Sequence, residues 1–535
     1  PQTILGIAQT IGQTNRLNHS QSNGDVARDT VDLLAAALFL LHALQNRKRN
    51  AQELHDNGRI DVGGDTHGHD GHLGHRTTGH HIHHIQQRQA VATQADSRSI
   101  NTGRGDAANQ TEEDQHSEGV KNLGEDDNKD YAFSNQNNFY YIPGTQLNAQ
   151  FDLKDYIEFP ARATGNDNFS AYPGINDWYE TVKLNYGVDY AGGRVNHFDP
   201  IPDTWHKMLH ILLFWAGKKV DAFRCDMAEM VPVDFWNWAI PQVKEQYPHV
   251  IFIAEVYNPA EYRNYLHYGH FDYLYDKVGL YDTLKAVTND WISAQNITFS
   301  WQQVEGIRNN MLNFLENHDE QRLASKFFAG NPLKGKAPLL VSALMYTNPM
   351  MVYFGQEFGE PGMDAEGFSG EDGRTTIFDY WSVDTIRRWR NNGKFDNKQL
   401  TADELSLQSY YAKVLNICNS SEAVREGEFY DLMYVNPQLQ RQYAFVRHTE
   451  NETLLIVANF AAHDVEVSIH VPQHLFEYYQ IEESASSDWM DLLTGDSVKA
   501  SFTSAEATKL IVPAWGGCVL RMKEQKKTKC KKSKA

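Results

Sequence analysis

Three short apolar runs that each lead to an acidic residue constrain the fold of this chain most strongly. The runs with their acids are Val220–Asp226, Val250–Glu255 and Met311–Asp319. Apolar runs of this length, separated by helical patterns, are typical of buried parallel strands. The carboxyl ends of such strands meet at one edge of a parallel sheet or barrel. The sequence therefore predicts an α/β barrel fold with one site built from several strand ends.

Arg224 lies two residues before Asp226 on the first of these runs. Residues two apart on a strand point to the same face, so the two side chains are expected to be neighbours. A guanidinium beside a carboxylate keeps the carboxylate ionised, which suits a nucleophile. A structural alternative is that the acids cap strands or pair with Arg224 and Arg322.

Five motifs in order resemble the alpha-amylase family (glycoside hydrolase family 13). They are IPD at 201–203, FRCDMAEMV at 223–231, FIAEVYNP at 252–259, FLENHDEQR at 314–322 and MVYFGQEFGE at 351–360. The resemblance covers roughly residues 116–523. It implies a (β/α)8 TIM barrel, here with the first strands missing or replaced, an irregular insertion called domain B, and a C-terminal antiparallel β-sandwich.

The resemblance also implies roles for the acidic residues. Asp226 corresponds to the nucleophile, Glu255 to the acid/base, and Asp319 to a third carboxylate that grips sugar hydroxyls. Arg224 and His318 match flanking positions that bind the sugar and orient the nucleophile. The implied activity is retaining hydrolysis of α-1,4-glucosidic bonds in starch or maltodextrins through a covalent glycosyl-enzyme. Glu255 is expected to have a raised pKa because of burial and neighbouring carboxylates.

Composition and periodicity, together with what the resemblance implies, divide the chain into five predicted segments. Residues 1–115 are an atypical stretch, 116–200 the domain B-like insertion and 201–420 the catalytic barrel with strands 4–8. The alternating pattern of 421–523 indicates the β-sandwich, and residues 524–535 form a basic tail. Within the barrel segment, residues 203–217 read as an amphipathic helix with an Asp cap.

Residues 1–115 lack the three βα units and the Asp-x-x-x-Asn-His pattern that a barrel of this family carries there. We interpret them as disordered, as a translation in the wrong frame or strand, or as an unrelated fusion. A helix is possible at Val31–Leu44. Residues 67–84 hold eight of the 23 histidines, which can bind Zn²⁺, Ni²⁺ or Cu²⁺ loosely or form no defined site.

The insertion at 116–200 supplies candidate substrate contacts. Tyr140, Tyr141 and Trp178 are predicted to stack on sugar rings, with burial in the core as the alternative. Loops of this kind also hold calcium in many relatives. Calcium is therefore a candidate cofactor by resemblance, although the usual ligand motif is not found in the sequence.

The net charge, the lengths of the apolar runs and the cysteine spacing argue against several classes of function. The net charge of −20 argues against nucleic acid as a partner. No apolar run approaches the roughly 20 residues of a membrane span, and no signal peptide is visible at the start. The four cysteines show no CxxC spacing, so neither a metal knuckle nor a disulfide framework is predicted. The expected partner is an α-glucan oligosaccharide or polysaccharide.

Three alternatives to starch hydrolysis stay open. The same three acids serve an α-glucan transglycosylase or an oligosaccharide α-glucosidase. The chain could instead be an inactive, truncated carbohydrate-binding product, because a barrel without its first strands cannot close. A third interpretation is a metal-binding protein in which the histidine tract carries the function.

Overall fold

The computed structural model describes most of the chain after residue 120. The described residues are 121–522 except 152, 154–155, 180, 365–366, 368–370 and 378–382. The predictions for residues 1–115, with their helix and histidine tract, and for the tail at 524–535 lie outside the described residues. The chain divides into two compact units, one ending at Leu274 and the other beginning at Tyr275. The segment limits drawn from composition stay predictions.

The first unit combines small antiparallel pairs with the start of a parallel sheet. Its strands are β1 (Tyr141–Ile142), β2 (Ala161–Arg162), β3 (Val188–Asp189), β4 (Val195–Asn196), β5 (Ala222–Cys225), β6 (Ile251–Ala254) and the first two residues of β7 (Tyr273–Tyr275). β1 pairs with β2 and β3 with β4, both antiparallel. β5 and β6 pair in parallel, and β6 pairs in parallel with Tyr273 and Leu274 of β7.

Two helices flank β5 in the chain, one before it and one that connects it to β6. They are α1 (Asp203–Gly217) and α2 (Val233–Gln246). α1 has the predicted bounds, but the predicted Asp cap is wrong. Pro202 is the N-cap residue, and the Asp203 carboxylate instead pairs with Lys207 at 2.9 Å and accepts a hydrogen bond from Asn138 Nδ2 at 2.9 Å. A carboxylate held by these two donors points away from the helix amides that it was expected to cap.

The connection between β6 and β7 contains only a short helical segment. The regular part is a single wide turn with π-helical geometry at Asn264–Tyr268. Gly269 ends this turn, and its amide donates to the Asn264 carbonyl at 2.9 Å. A Cβ at Gly269 would lie 2.6 Å from the Tyr265 carbonyl oxygen. The close return of the chain onto its own backbone therefore requires glycine and stops the helix early.

The second unit begins with α/β elements. The strands β8 (Met311–Phe314) and β9 (Met350–Met351) pair in parallel. The helices are α3 (Asp282–Thr288), α4 (Asn296–Gln303), α5 (Lys336–Leu344), α6 (Asp384–Arg390), α7 (Ala402–Ser420) and α8 (Glu422–Arg425). All four residues of β8 are buried, and α5 is buried on every side from Ala337 to Leu344. These elements form the apolar support from which the residues after β8 extend.

The second unit ends in an antiparallel sandwich, as the alternating pattern after residue 421 predicted. Its strands are β10 (Glu428–Asp431), β11 (Gln442–His448), β12 (Thr453–Asn459), β13 (Val465–Ile469), β14 (Ser484–Asp491), β15 (Ser497–Phe502), β16 (Thr508–Val512) and β17 (Gly517–Met522), with the helix α9 (Gln473–Tyr479). One sheet has the order β10-β11-β12-β17-β14-β15, and β13 pairs with β16 in the other. Across the part of the chain that is described, no helix has the length and apolar character needed to cross a membrane.

Candidate active site

Two predicted catalytic acids lie at the ends of adjacent parallel strands in the first unit. Asp226 follows β5 and Glu255 follows β6. The pairing of Cys225 with Ala254 continues beyond the strands, because the Glu255 amide donates to the Cys225 carbonyl at 2.9 Å and the Ala228 amide donates to the Glu255 carbonyl at 3.0 Å. Both carboxyl groups are nearly inaccessible, with Asp226 6% and Glu255 1% exposed. The parallel register therefore brings the two acids together at one sheet edge, as predicted.

Arg224 joins the two acids. Its Nη1 donates to Asp226 Oδ1, and its Nη2 lies 2.9 Å from Glu255 Oε2. The side chain leaves β5 on the same face as Asp226 because the two residues are two positions apart. A guanidinium fork suits this arrangement, since its planar donors can address two carboxylates in fixed directions.

Two further groups bind Glu255, and the sequence reasoning missed both. The Met227 amide donates to Glu255 Oε2 at 3.0 Å, and the Tyr257 hydroxyl donates to Glu255 Oε1. Met227 adopts a left-handed conformation with φ of 41°, which is uncommon for a residue with a Cβ and is typical of constrained functional positions. Tyr257 could have been found, because it lies two residues after Glu255 and hence on the same side. The conformation of Met227 has no signal in the sequence.

The third predicted acid lies in the second unit, on the segment that follows β8. Asn317 Oδ1 accepts hydrogen bonds from the amides of Asp319 and Glu320, both at 2.9 Å. This turn fixes the backbone at Asp319 and its neighbour His318. His318 Nε2 lies 3.2 Å from Asp319 Oδ2. Both side chains are buried. The structure thus places Asp319 with His318, and Asp226 with Glu255 and Arg224; a single cluster of all three acids around one sugar ring stays a prediction.

Comparison with known proteins identifies the segment that carries these acids. Residues 200–417 match the model of the alpha-amylase catalytic domain. This segment belongs to the alpha-amylase family. The family match confirms the resemblance, and the parallel strands followed by an antiparallel sandwich agree with the predicted fold class.

Proteins similar to this alpha-amylase domain are named as several different enzymes. Alpha-amylase 3 of Dictyoglomus thermophilum is 25% identical over 309 residues, which are 53% of this chain and 58% of that protein. Neopullulanase 2 of Thermoactinomyces vulgaris is 21% identical over 302 residues, 56% of this chain and 45% of that protein. The alpha-1,4-glucan:maltose-1-phosphate maltosyltransferase of Cereibacter sphaeroides is 32% identical over 97 residues, 17% of this chain and 16% of that protein. Each match spans less than two thirds of the relative.

The prediction that Tyr140, Tyr141 and Trp178 stack on sugar rings is wrong, because all three are buried. Tyr140, Tyr141 and Trp178 are 2%, 5% and 0% exposed. The Tyr140 ring packs edge-on against Phe169 at 5.3 Å and its hydroxyl donates to the Val188 carbonyl at 2.7 Å. The aromatic residues of the insertion therefore build their own small core, and these three rings present no face to a sugar. The composition of an irregular segment could not distinguish this use from substrate stacking.

The oxygen cluster around Asn138 does not fit calcium. Asn122 O, Asn138 Oδ1 and Asp203 Oδ2 converge there, but they surround the Lys207 ammonium at 2.8, 2.8 and 2.9 Å. A positive charge already occupies the centre of the cluster. Within the described ranges, no group of three or more His, Cys, Asp or Glu side chains could hold a metal ion.

Proposed function

We propose that the protein is a retaining glycoside hydrolase that cleaves α-1,4-glucosidic bonds in starch or maltodextrins. The observation that carries the proposal is the Arg224 guanidinium, which bridges two buried carboxylates at neighbouring strand ends. Two closely spaced carboxylates, one acting as nucleophile and one as acid/base, are what retaining cleavage requires. The membership of residues 200–417 in the alpha-amylase family supports this chemistry.

In the proposed first step, Asp226 attacks the anomeric carbon and the bond from that carbon to the glycosidic oxygen breaks. Glu255 gives its proton to the departing oxygen, so the leaving sugar departs as an alcohol. Arg224 holds the Asp226 carboxylate ionised and aimed until the covalent bond forms. The product of this step is a glycosyl ester on Asp226.

In the second step, Glu255 takes a proton from water, and the resulting hydroxide attacks the anomeric carbon and releases Asp226. Burial disfavours a negative charge on Glu255, whereas the donors from Met227, Tyr257 and Arg224 favour it. These opposing influences suit a carboxyl group that must give up a proton in one step and accept one in the next. Asp319 and His318 would bind sugar hydroxyls and favour the distorted ring.

Three single substitutions test this assignment on purified full-length protein. Asp226→Asn should abolish the release of reducing ends from starch, Glu255→Gln should lower it about 10²–10⁴-fold, and Asp319→Asn should lower it as well. Asp126→Asn is a matched control, because that side chain is 60% exposed and pairs with Lys121 at the surface. Proton NMR of the first products should show the α-anomer. Unchanged starch cleavage by Asp226→Asn would refute the mechanism.

Transglycosylation is the second candidate, favoured by the match to a maltosyltransferase at 32% identity over 97 residues. It uses the same covalent intermediate, with a sugar hydroxyl in place of water in the second step. Incubation with maltotriose separates the two functions. Products longer than maltotriose would show transfer, whereas glucose and maltose alone would show hydrolysis by an amylase or an oligosaccharide α-glucosidase.

A further inference from the structure

A buried ion pair spans the segment that carries Asp319. Glu316 lies three residues before Asp319 and Arg322 three residues after it, and their side chains meet at 2.9 Å between Arg322 Nη1 and Glu316 Oε2. The other oxygen, Glu316 Oε1, accepts the Leu323 amide at 2.7 Å. Residues 316–323 are therefore closed into a loop by two contacts to one carboxylate, and His318 and Asp319 lie within that loop.

Arg322 also fixes this loop to two other segments of the second unit. Its Nη1 donates to the Phe354 carbonyl at 2.8 Å, in the segment after β9. Its Nε donates to Thr375 Oγ1 at 3.1 Å, and its backbone amide donates to the Gly373 carbonyl. The Tyr353 hydroxyl donates to the Thr375 carbonyl at 2.7 Å. One arginine thus connects the Asp319 loop, the chain after β9 and residues 373–375.

The surroundings leave the Arg322 side chain little freedom. Its guanidinium carbon lies 4.2 Å from the Tyr353 ring centre and 4.8 Å from that of Phe354. Gly362, with φ of 57°, approaches so closely that a Cβ would lie 2.8 Å from Arg322 Cγ. Arg322 is fully buried and Glu316 is 1% exposed. Two rings, a glycine backbone and three acceptors of the guanidinium therefore determine one position for this side chain.

A buried ion pair of this kind is a poor device for stability alone. Removing two charges from water costs several kcal/mol per ion, and the attraction between the charges returns only about that amount. Apolar side chains in place of a buried ion pair are therefore often equally stable. Buried polar networks do, however, fix one arrangement among several. The geometry therefore points to placement of the loop rather than to added stability.

We propose that Glu316 and Arg322 form a clamp that positions Asp319 and His318 relative to residues 373–375. The two clamp residues are positioning residues and do not touch the substrate in this proposal. The inference rests on the proposed function, in which Asp319 and His318 bind the sugar. It extends that function by assigning the placement of Asp319 to a side-chain pair outside the three acids.

Arg322→Lys is the decisive variant, because an ammonium keeps the charge but cannot supply the fork that reaches Glu316, Phe354 and Thr375. We expect kcat on maltodextrin to fall about 10²-fold, as misplacement by about 1 Å can cost, with KM changed less than about threefold. Amide hydrogen exchange should become faster in the peptides that cover residues 317–323. Glu316→Gln should retain part of kcat, because its amide oxygen can still accept the Leu323 amide.

Lys326→Gln is the matched control. Lys326 pairs with Glu371 at 2.6 Å at the surface, with both side chains about half exposed or more, and connects nearly the same two segments without a buried group. We expect kcat and hydrogen exchange to stay within twofold of the unsubstituted protein. Thr375→Val is a second test if Arg322→Lys does not fold, because it removes only the acceptor of Arg322 Nε and preserves the shape of the side chain. For this variant we expect a smaller fall in kcat than for Arg322→Lys, and faster hydrogen exchange at residues 317–323.

Folded Arg322→Lys or Thr375→Val with unchanged kcat and unchanged exchange at 317–323 would overturn the clamp. The hydrogen-exchange result does not depend on activity, so it also decides the placement of the loop if the protein cleaves no glucan. Unchanged cleavage by Asp226→Asn would, in contrast, overturn the proposed function and leave the exchange measurement as the test of the clamp. The two failures are therefore distinguishable.

Discussion

Replacement of Arg224 by methionine gives the sharpest test of the arrangement in the first unit. The substitution removes the guanidinium that contacts Asp226 Oδ1 and Glu255 Oε2 and keeps most of the aliphatic length. The Arg224 side chain is 14% exposed, so solvent screens these contacts little. Removing one partner from a buried ion pair costs about 3–5 kcal/mol, because an uncompensated charge stays behind. We expect Arg224→Met to lose that amount of unfolding free energy at pH 7.5.

The loss of unfolding free energy should depend on pH, and protonation of the two carboxylates determines the direction of this dependence. Without Arg224, the two buried acids in the folded variant hold a proton more tightly than the same acids in the unfolded chain. Lowering the pH therefore stabilises the folded variant relative to the unsubstituted protein. The deficit in unfolding free energy should accordingly shrink between pH 7.5 and pH 5.

Urea unfolding followed by tryptophan fluorescence at the two pH values measures this deficit. Arg387→Met is the control, because its ion pair with Asp384 is 3.4 Å long and more than 60% exposed on both sides, which makes a loss above about 1 kcal/mol unexpected. An Arg224→Met deficit below about 1 kcal/mol, or one equal at both pH values, would refute the view that Arg224 compensates two buried charges.

Three further predictions concern single groups. Tyr257→Phe removes a donor to Glu255, which should disfavour ionisation of this carboxyl and move the alkaline limb of the pH–rate profile upward. An unmoved limb would contradict the contact. Burial raises the pKa of Asp276 to about 6, so its share of stability is present at low pH and is lost as the pH rises through about 6. The difference in unfolding free energy between Asp276→Asn and the unsubstituted protein should therefore change by about 2 kcal/mol between pH 4.5 and 7.5, in favour of the variant at the higher pH. A difference that stays constant would disprove this. Lys207→Met should cost about 1–3 kcal/mol in the same measurement, because it leaves the Asn122 carbonyl and Asn138 Oδ1 without their donor. Lys121→Met, at a side chain 57% exposed, should cost much less, and equal losses would exclude a central role for the Lys207 ammonium.

The sequence was most informative where local pattern and strand register determine position together. Asp226 and Glu255 could be placed at neighbouring strand ends, because apolar runs define parallel strands and side chains alternate along them. The pairing of Arg224 with Asp226 followed from the same alternation. Asp319 could be placed after β8 for the same reason, but the clamp around it could not, because Arg322 also binds Phe354 and Thr375, which lie far away in the chain.

The sequence was least informative where the identity of a residue is compatible with opposite environments. The rings of Tyr140 and Trp178 suit a sugar face and a protein core equally well, and only the packed neighbours decide. Asp203 is a good N-cap residue by type, yet Lys207 and Asn138 compete for its carboxylate. The left-handed conformation of Met227 depends on the amide reaching Glu255, a tertiary contact that no local pattern encodes.

The structural and the catalytic interpretation of Arg224 can be compared on energetic grounds. If the pairing with Asp226 and Glu255 served stability alone, well-packed apolar side chains at the same three positions would do as well or better. Placing two acids almost out of water beside one guanidinium, next to a left-handed Met227, adds desolvation and conformational strain at a single place. Stability gains nothing from that combination, whereas retaining cleavage needs an ionised nucleophile and an acid/base held in a water-poor site. The cost of the arrangement therefore favours chemistry over scaffolding at the ends of β5 and β6.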